Sequence, residues 1–379
     1  MKSFSNYIIN SNAIRHNFKQ CKKLLTGTKI CVVVKANAYG IGANVVVKQL
    51  DDLTDYYAVA CFLEAERLRE LTDKPILTLN FVDISQIDFC VKNYISITIA
   101  SLFQLQKVIK FLNNKNEAQK EIIKSYGGLK IHFAINTGMN RIGFNSINEF
   151  YQSVILLKKC SYLQLEGIFT HFYYAESLRD TEQQNRIFMQ YLNLLKLHFD
   201  MSKIIVHAAN SIAALRYKKY NYDMVRLGIV LYGGLKLKAK NNYSLNFKDV
   251  VSIKSKIIAV RKIKRGDAVG YNKSFVAKKD MTIATIPLGY ADGIFREFAL
   301  KGKVLISGKK CKVVGNICMD MFMVDISNIE AKIFDEVVLI GNDKFGNCIT
   351  LLEFANFCNT ISYEVLTNVK RSRFNVKFE

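Results

Sequence analysis

The sequence predicts an α/β barrel, (β/α)8, over residues 1–240, followed by a mainly antiparallel β domain over 241–379. Two observations carry that expectation. Short apolar, β-rich runs recur eight times in the first 240 residues, with amphipathic stretches between them. That is the pattern of a parallel sheet covered on both faces, and the count of a closed barrel. Beyond residue 245 the helical stretches give way to strand-like segments, some of them separated by glycine turns.

Taken in order, the runs fall at 30–35, 56–60, 75–79, 95–99, 129–135, 163–169, 203–207 and 224–231. Each is short and rich in Val, Ile, Leu or aromatics, which suits a strand buried on both faces. Amphipathic segments at 62–71, 101–112, 146–159, 181–199 and 210–219 lie among them. A doubly wound open sheet has the same periodicity, so closure stays open at this level. The second part has strand-like segments at 250–260, 281–287, 303–306, 311–314, 321–326 and 336–340, and one helix near 350–358. Arg265-Gly266-Asp267 and Ser307-Gly308-Lys309 supply turns. Residues 238–247, KAKNNYSLNF, are the expected junction.

Composition narrows the function classes. Half of the residues are apolar and 23% are charged, a balance that suits a globular protein with a large core. No apolar run reaches the roughly 20 residues that a membrane span needs. The first twenty residues include Lys2, Arg15 and Lys19 and lack the apolar stretch of a secretory signal. Nine scattered cysteines, none in CxxC spacing, point to free thiols in a reducing cytoplasm and to no metal site. The net charge is +22, but its lysines are spread along the chain, as at Lys22-Lys23, Lys158-Lys159 and Lys309-Lys310. Nucleic-acid binding requires clustered charge. Neither a nucleic acid nor a membrane is expected as a partner.

In such a barrel, chemistry belongs where the strands end. Lys35 ends the first run, residues 136–141 follow the fifth, and His171 ends the sixth. His207, Asn210 and Ser211 follow the seventh, and Arg226 and Gly228 lie in the eighth. An amine at the end of a buried strand loses its proton more readily, because burial disfavours the charged form. Taken by itself, Lys35 is better explained as a lysine leaving the core for water. The loops after strands seven and eight commonly hold phosphate, and Ser211 and Gly228 suit an anion there.

Context changes the reading of Lys35. The segment 32–42 is VVVKANAYGIG, and it is followed by INTGMNRIGF (135–144), FTHF (169–172), HAANSIA (207–213) and VRLGIVLYG (225–233). VGYNKSF (269–275), IPLGYADG (286–293), GNICMDMFMVDI (315–326) and ISYEV (361–365) complete the series. In that order, over nearly the whole chain, these segments resemble the bacterial alanine racemases. The resemblance implies pyridoxal 5'-phosphate as cofactor and two-base interconversion of L- and D-alanine. It also implies a cytoplasmic enzyme that supplies D-alanine for peptidoglycan.

By that resemblance Lys35 holds the cofactor and works as the base on one face of the substrate, and Tyr271 is the opposing acid/base. Tyr39, Ser211, Gly228 and Ile229 match phosphate-contacting positions. His171 matches the histidine beside the pyridine ring, and Arg226 the arginine facing the pyridine nitrogen, with His207 supporting it. Arg141 matches the residue that orients the cofactor phenolate and the substrate carboxylate, and Met319 matches a backbone contact to that carboxylate. In the family Tyr271 and Met319 come from the partner subunit, which implies a homodimer with shared active sites. The chemistry is coherent. Racemisation removes a proton from one face of a carbon and returns one to the other, so two opposed groups suit it. A tyrosine works as a base near neutrality only beside positive charge, for which Arg141 and His171 are candidates.

The chain departs from the family's pattern at four places. Ala134 stands where a carbamylated lysine is frequent, and Asn136 replaces the following aspartate. Without the carbamate, an anion or another side chain is expected to fix Arg141. Ile41 replaces a histidine, and Asn140 replaces a glycine. The closing segment TNVKRSRF (367–374) is degenerate. Other readings are a basic-amino-acid or serine racemase, whose breadth turns on gate residues such as those near Tyr290, and a decarboxylase of the same architecture. Decarboxylases place an acid at the pyridine nitrogen, so Arg226 argues against that reading. Non-catalytic cofactor-binding proteins resemble the barrel alone, so the β domain with Tyr271 and Met319 argues against them.

Overall fold

A computed structural model describes residues 3–235 and 246–379; positions 238–245 of the expected junction lie outside the described residues. The chain forms two compact units, one of residues Cys21–Ala38 and Gly42–Gly228, the other of Met1–Gln20, Tyr39–Ile41 and Ile229–Glu379.

The first unit is the barrel. Its strands are Lys29–Val33 (β1), Tyr56–Val59 (β2), Ile76–Thr78 (β3), Ile95–Ile99 (β4), Leu129–Ala134 (β5), Leu163–Phe169 (β6), Ile205–His207 (β7) and Met224–Leu227 (β8). Successive strands from β1 to β7 pair in parallel, and β8 pairs with β1, Cys31 standing opposite Arg226. The ring is completed between β7 and β8 by backbone bonds from Asp223 N–H to Val206 O and from Arg226 N–H to Ala209 O, both 3.0 Å. This closure excludes the open sheet. Strands β2, β3 and β4 are buried along their whole length, which explains their unbroken apolar sequence.

The helices around the barrel form for local reasons. In Leu102–Asn113 the side chains of Leu105, Val108, Ile109 and Leu112 recur at helical spacing and are buried, and the Ser101 side chain accepts from Gln104 N–H at the first turn. Leu178–Lys196 is built alike, with Ser177 as its cap. Helices at Ala43–Leu50, Ile87–Lys92 and Glu117–Ser125 were not expected from the sequence. The first two are short and strongly apolar. Glu117–Ser125 presents only one buried side chain, Ile123, and is closed by a capping box between Asn116 and Gln119.

In the second unit, strands at Val251–Lys256, Ala259–Ile263, Met281–Ile286, Lys303–Ile306, Lys309–Val314, Phe322–Asp325 and Glu336–Asn342 follow the expected segments, the first of which divides in two. With Asn6–Ile9, Cys348–Ile349 and Asn375–Phe378 they make up, among the described residues, a ten-stranded sheet that is antiparallel except at one pairing. That exception joins Asn6–Ile9 to Asn375–Phe378 in parallel, and Asn6–Ile9 also pairs with Val251–Lys256. Both terminal strands went unrecognised in the sequence, since partners from opposite chain ends leave no local signal. The helix expected near 350–358 is Leu351–Phe357, and Phe298–Lys301 and Ser362–Asn368 are further helices that the sequence reading did not name. Phe298 holds the aromatic core against Phe322, Phe354 and Phe357.

Candidate active site

Polar groups gather at the C-terminal ends of the barrel strands. Directly after β1 the backbone turns left-handed: Ala36, Asn37 and Ala38 all have φ 52° and Tyr39 has φ 57°. Such a conformation costs an L-residue about 1–2 kcal/mol, so other contacts must hold it. Ala38 N–H donates to Val34 O at 2.7 Å, and Asn37 accepts from Gly42 N–H through its carbonyl and from Ala43 N–H through its side chain. The Glu64 carboxylate accepts from Ala36 N–H at 2.7 Å and from Ala60 N–H at 2.8 Å. Lys35 therefore leaves the strand on a wound turn with a fixed direction.

The half-buried Lys35 amine is held below its ordinary pKa, first by burial and then by the charges of Arg141 and Arg226, with Glu64 opposing. Arg226 is buried at 4% exposure. Its guanidinium donates to His207 Nδ1 at 2.7 Å, Thr170 O at 2.8 Å, Ala208 O at 3.0 Å and His171 Nδ1 at 3.3 Å. All four acceptors are neutral. Burial, the larger effect, pushes Arg226 down to about 10, so at neutral pH it remains a cation that can only donate.

His171 is pushed down to about 3, by burial first and then by Arg226, Arg141 and Lys35. This corrects one expectation. His171 is neutral and supplies no positive field for a tyrosine, which leaves Arg141 as the charged candidate. Ser211 is buried, and its hydroxyl accepts from Gly228 N–H at 3.0 Å. Asn210 caps the helix Ser211–Arg216, accepting from Ile212 and Ala213 N–H while donating to Phe172 O.

Arg141 is exposed, on a loop organised by Asn136. The Asn136 carbonyl oxygen accepts from Gly138 and Asn140 N–H at 3.1 and 2.9 Å, and its amide donates to Asn140 and Asn145. Asn140 has φ 54°, a left-handed value that glycine or asparagine tolerates. Ala134 packs in an apolar cluster with Ala100, Phe169, Leu79 and Ile142. Hydrocarbon surrounds that position, and the asparagines shape the loop.

Two of the expected residues, Tyr39 and Ile229, belong to the second unit. Tyr39 is buried between Tyr232 and Tyr363, with ring centroids at 5.1 and 5.7 Å. Arg371, from the degenerate closing segment, donates to Gly40 O and Ile41 O at 3.0 and 2.8 Å.

The same unit displays Tyr271 and Met319. A small hairpin pairs Ala268 with Val276 and Val269 with Phe275. At its tip Gly270, Asn272 and Lys273 have positive φ and project Tyr271, which is 69% exposed. Met319 is 53% exposed on a neighbouring loop. Gly270, Tyr271, Cys318, Met319, Asp320 and Met321 line an open hollow of about 340 Å³. Tyr290 and Ala291 N–H donate to Cys318 O and Met319 O at 3.1 and 3.0 Å. Arg373 ties the arrangement together, bonding Asp292 at 2.6 Å and Asp320 at 2.7 Å. Sequence reading missed Arg373, Glu64, His132 and Glu166, because none lies in a recognised motif position.

The barrel mouth fits an anionic, phosphate-bearing group. Lys35, Arg141 and Arg226 act on one another there, and Glu64 opposes the two arginines in their effect on the Lys35 amine. Small residues, Ser211 and Gly228, stand where a phosphate is expected.

His207 gives a pH prediction. It is fully buried and held well below its usual 6.5, by burial first and then by Arg226. Unfolded, it takes up a proton near pH 6.5; folded, it does not. Below that pH the unfolded state binds more protons, so stability falls as pH falls. This group contributes about 1.4 kcal/mol per pH unit. Equilibrium denaturation at pH 7 and pH 5 checks it, and an unchanged unfolding free energy would contradict a neutral His207.

The alanine racemase N-terminal domain profile matches residues 9–236, and the alanine racemase C-terminal domain profile matches 250–377. The alanine racemase of Ligilactobacillus salivarius is 35% identical over 369 residues, covering 96% of this chain and 95% of that protein. The structure of alanine racemase from Bacillus anthracis with bound L-Ala-P has a TM-score of 0.87 at 29% identity, covering 100% of this chain and 96% of the other. Alanine racemase from Bartonella henselae with covalently bound pyridoxal phosphate has a TM-score of 0.86 at 26% identity, over 100% of both chains. Matched along both domains by sequence and by fold, the chain belongs to the alanine racemase family.

Proposed function

We propose that this chain interconverts L- and D-alanine with pyridoxal phosphate, Lys35 and Tyr271 handling the proton on opposite faces of the substrate. The observation that carries the reading is the half-buried Lys35 at the end of β1, directed into the barrel mouth by the wound turn that follows it; burial first, and then the charges of Arg141 and Arg226, hold its amine below the ordinary lysine value. Pyridoxal phosphate, when bound, supplies an electron sink that makes the α-proton removable.

Lys35 would hold the cofactor through its amine, and Tyr39, Ser211, Gly228 and Ile229 would hold its phosphate. His171, a neutral ring, would lie beside the pyridine. Arg226 would face the pyridine nitrogen as a permanent donor and leave that nitrogen unprotonated. Arg141 and the Met319 backbone would orient the substrate carboxylate. Lys35 Nζ takes or returns the α-proton on one face, and the Tyr271 hydroxyl does so on the other. The exposure of Tyr271 and Met319 supports a homodimer in which each chain lends these residues to its partner's site. D-Alanine for peptidoglycan, made in the cytoplasm, is the proposed product and place. No helix among the described residues is long and apolar enough to cross a membrane.

The test is chiral detection of D-alanine formed from L-alanine by the purified chain supplied with pyridoxal phosphate, with L-serine in parallel. Alanine turnover supports the reading. Turnover of serine alone would move the substrate, and no turnover of either would defeat the proposal.

A further inference from the structure

Below Arg226 a file of polar side chains runs through the barrel interior. His207 Nδ1 is 2.7 Å from the Arg226 guanidinium, His207 Nε2 is 2.9 Å from His132 Nδ1, and His132 Nε2 is 3.1 Å from Glu166 Oε2. Glu166 Oε2 also accepts from the Tyr56 hydroxyl at 2.6 Å and from the Ser96 hydroxyl, while Lys130 bonds Oε1 at 2.9 Å. His132 and His207 are both 0% exposed. Burial pushes the Glu166 carboxyl up, but donors on both of its oxygens, His132, Ser96 and Tyr56 on Oε2 and the Lys130 ammonium on Oε1, favour the carboxylate.

The backbone makes room for this file. Along β5 and β6 Ile131 pairs with Leu165 but His132 pairs with Gly167, so Glu166 is an additional residue in a bulge, a feature that re-aims a side chain. A Cβ at Gly167 would stand 2.3 Å from His132 Nδ1. Only glycine lets the imidazole lie there.

The position of each proton follows from the Arg226 end. A guanidinium only donates, so His207 Nδ1 must be bare. A neutral imidazole then carries its proton on Nε2 and donates it to His132 Nδ1, which must be bare in turn. His132 holds its own proton on Nε2 and donates it to Glu166. We propose that Glu166 and His132 are positioning residues for Arg226: the carboxylate fixes one tautomer in each histidine, and so fixes the acceptor that holds the guanidinium in the barrel mouth. For catalysis this rests on the racemase reading given above. Without an ionised acceptor at position 166, His132 is free to move its proton to Nδ1. His207 must then turn Nδ1–H toward Arg226, and two donors face each other at the present 2.7 Å. The guanidinium has to shift.

The chain has five histidines, at positions 16, 132, 171, 198 and 207, few enough for selective 15N-histidine labelling of the intact protein to resolve each ring. The expected result is a single Nε2–H tautomer at both His132 and His207. Glu166→Gln is expected to give mixed tautomers at both rings and to lower kcat about 10- to 100-fold, with KM for alanine within about twofold. Lys130→Ala removes the ion pair but keeps the acceptor, so tautomers and kcat should stay as in wild type. An Nδ1–H or doubly protonated ring at either position in wild type overturns the proposal without recourse to any variant. Wild-type tautomers or undiminished kcat in Glu166→Gln overturn it as well. The expected tautomers in a wild-type protein that does not racemise alanine would strike the racemase reading alone and leave the proton order intact.

Discussion

Replacing Lys35 with alanine is expected to lower racemisation at least about 10,000-fold, because one atom performs two tasks. Lys35 Nζ is the proposed attachment point of the cofactor and the proposed base for one face. Its surroundings suit both, since burial and two neighbouring cations favour the neutral amine. The loss should not come from unfolding. The charges acting on Lys35 are mostly of its own sign, so removing it relieves repulsion, and Lys35→Ala is expected to melt no lower than wild type without cofactor. Lys35→Arg sharpens the experiment. It keeps a cation at the position but cannot release its proton near neutrality, and it should be as inactive as the alanine variant. Chiral chromatography of the products, with a melting curve beside it, decides the matter. Activity in Lys35→Arg comparable to wild type would show that charge alone is required there.

The second large effect is expected for Tyr271→Phe, a loss of roughly 100- to 10,000-fold in kcat, the range for removing one positioned acid/base. The ring is 69% exposed at the tip of its hairpin, so losing the hydroxyl leaves no unpaired buried group and the fold should be unaffected. Exposure also makes the variant informative about assembly. If each site takes Lys35 from one chain and Tyr271 from the other, two inactive proteins should rescue one another. A mixed dimer of Lys35→Ala and Tyr271→Phe contains one site with both wild-type residues and one with neither. After unfolding and refolding an equal mixture, about a quarter of the wild-type rate should return. No recovery in mixtures shown to contain the mixed dimer would mean that both residues of a site come from a single chain.

The barrel was legible in the sequence because a strand covered on both faces has an unbroken apolar stretch, as in β4, where all of 95–99 is buried. Lys35, Arg226 and Ser211 were legible because they lie at strand ends, within motifs that resemble a known family. What escaped depends on register or on distant partners. His132, taken singly, is a histidine on a buried strand. It belongs to a file only because β5 and β6 shift by one residue and β7 brings His207 alongside. Glu166 lies in an alternating strand pattern that gives no sign of a bulge. Arg373 lies in a degenerate segment, and its partners Asp292 and Asp320 are far away in sequence. The terminal strands 6–9 and 375–378 complete each other, so neither is specified by its own residues alone.

The turn after Lys35 has a stereochemical meaning. Ala36 (φ 52°, ψ 45°) and Ala38 (φ 52°, ψ 53°) occupy backbone angles close to the mirror image of those of an ordinary right-handed helix. For an L-alanine these angles are strained; for a D-alanine they are the favoured ones. The proposed catalytic lysine is thus followed by two L-alanines held in the backbone geometry natural to the enantiomer that the enzyme is proposed to make. At 36 or 38 a mirror-image alanine, introduced by chemical ligation, would fit the existing fold with less strain than the residue that biosynthesis places there.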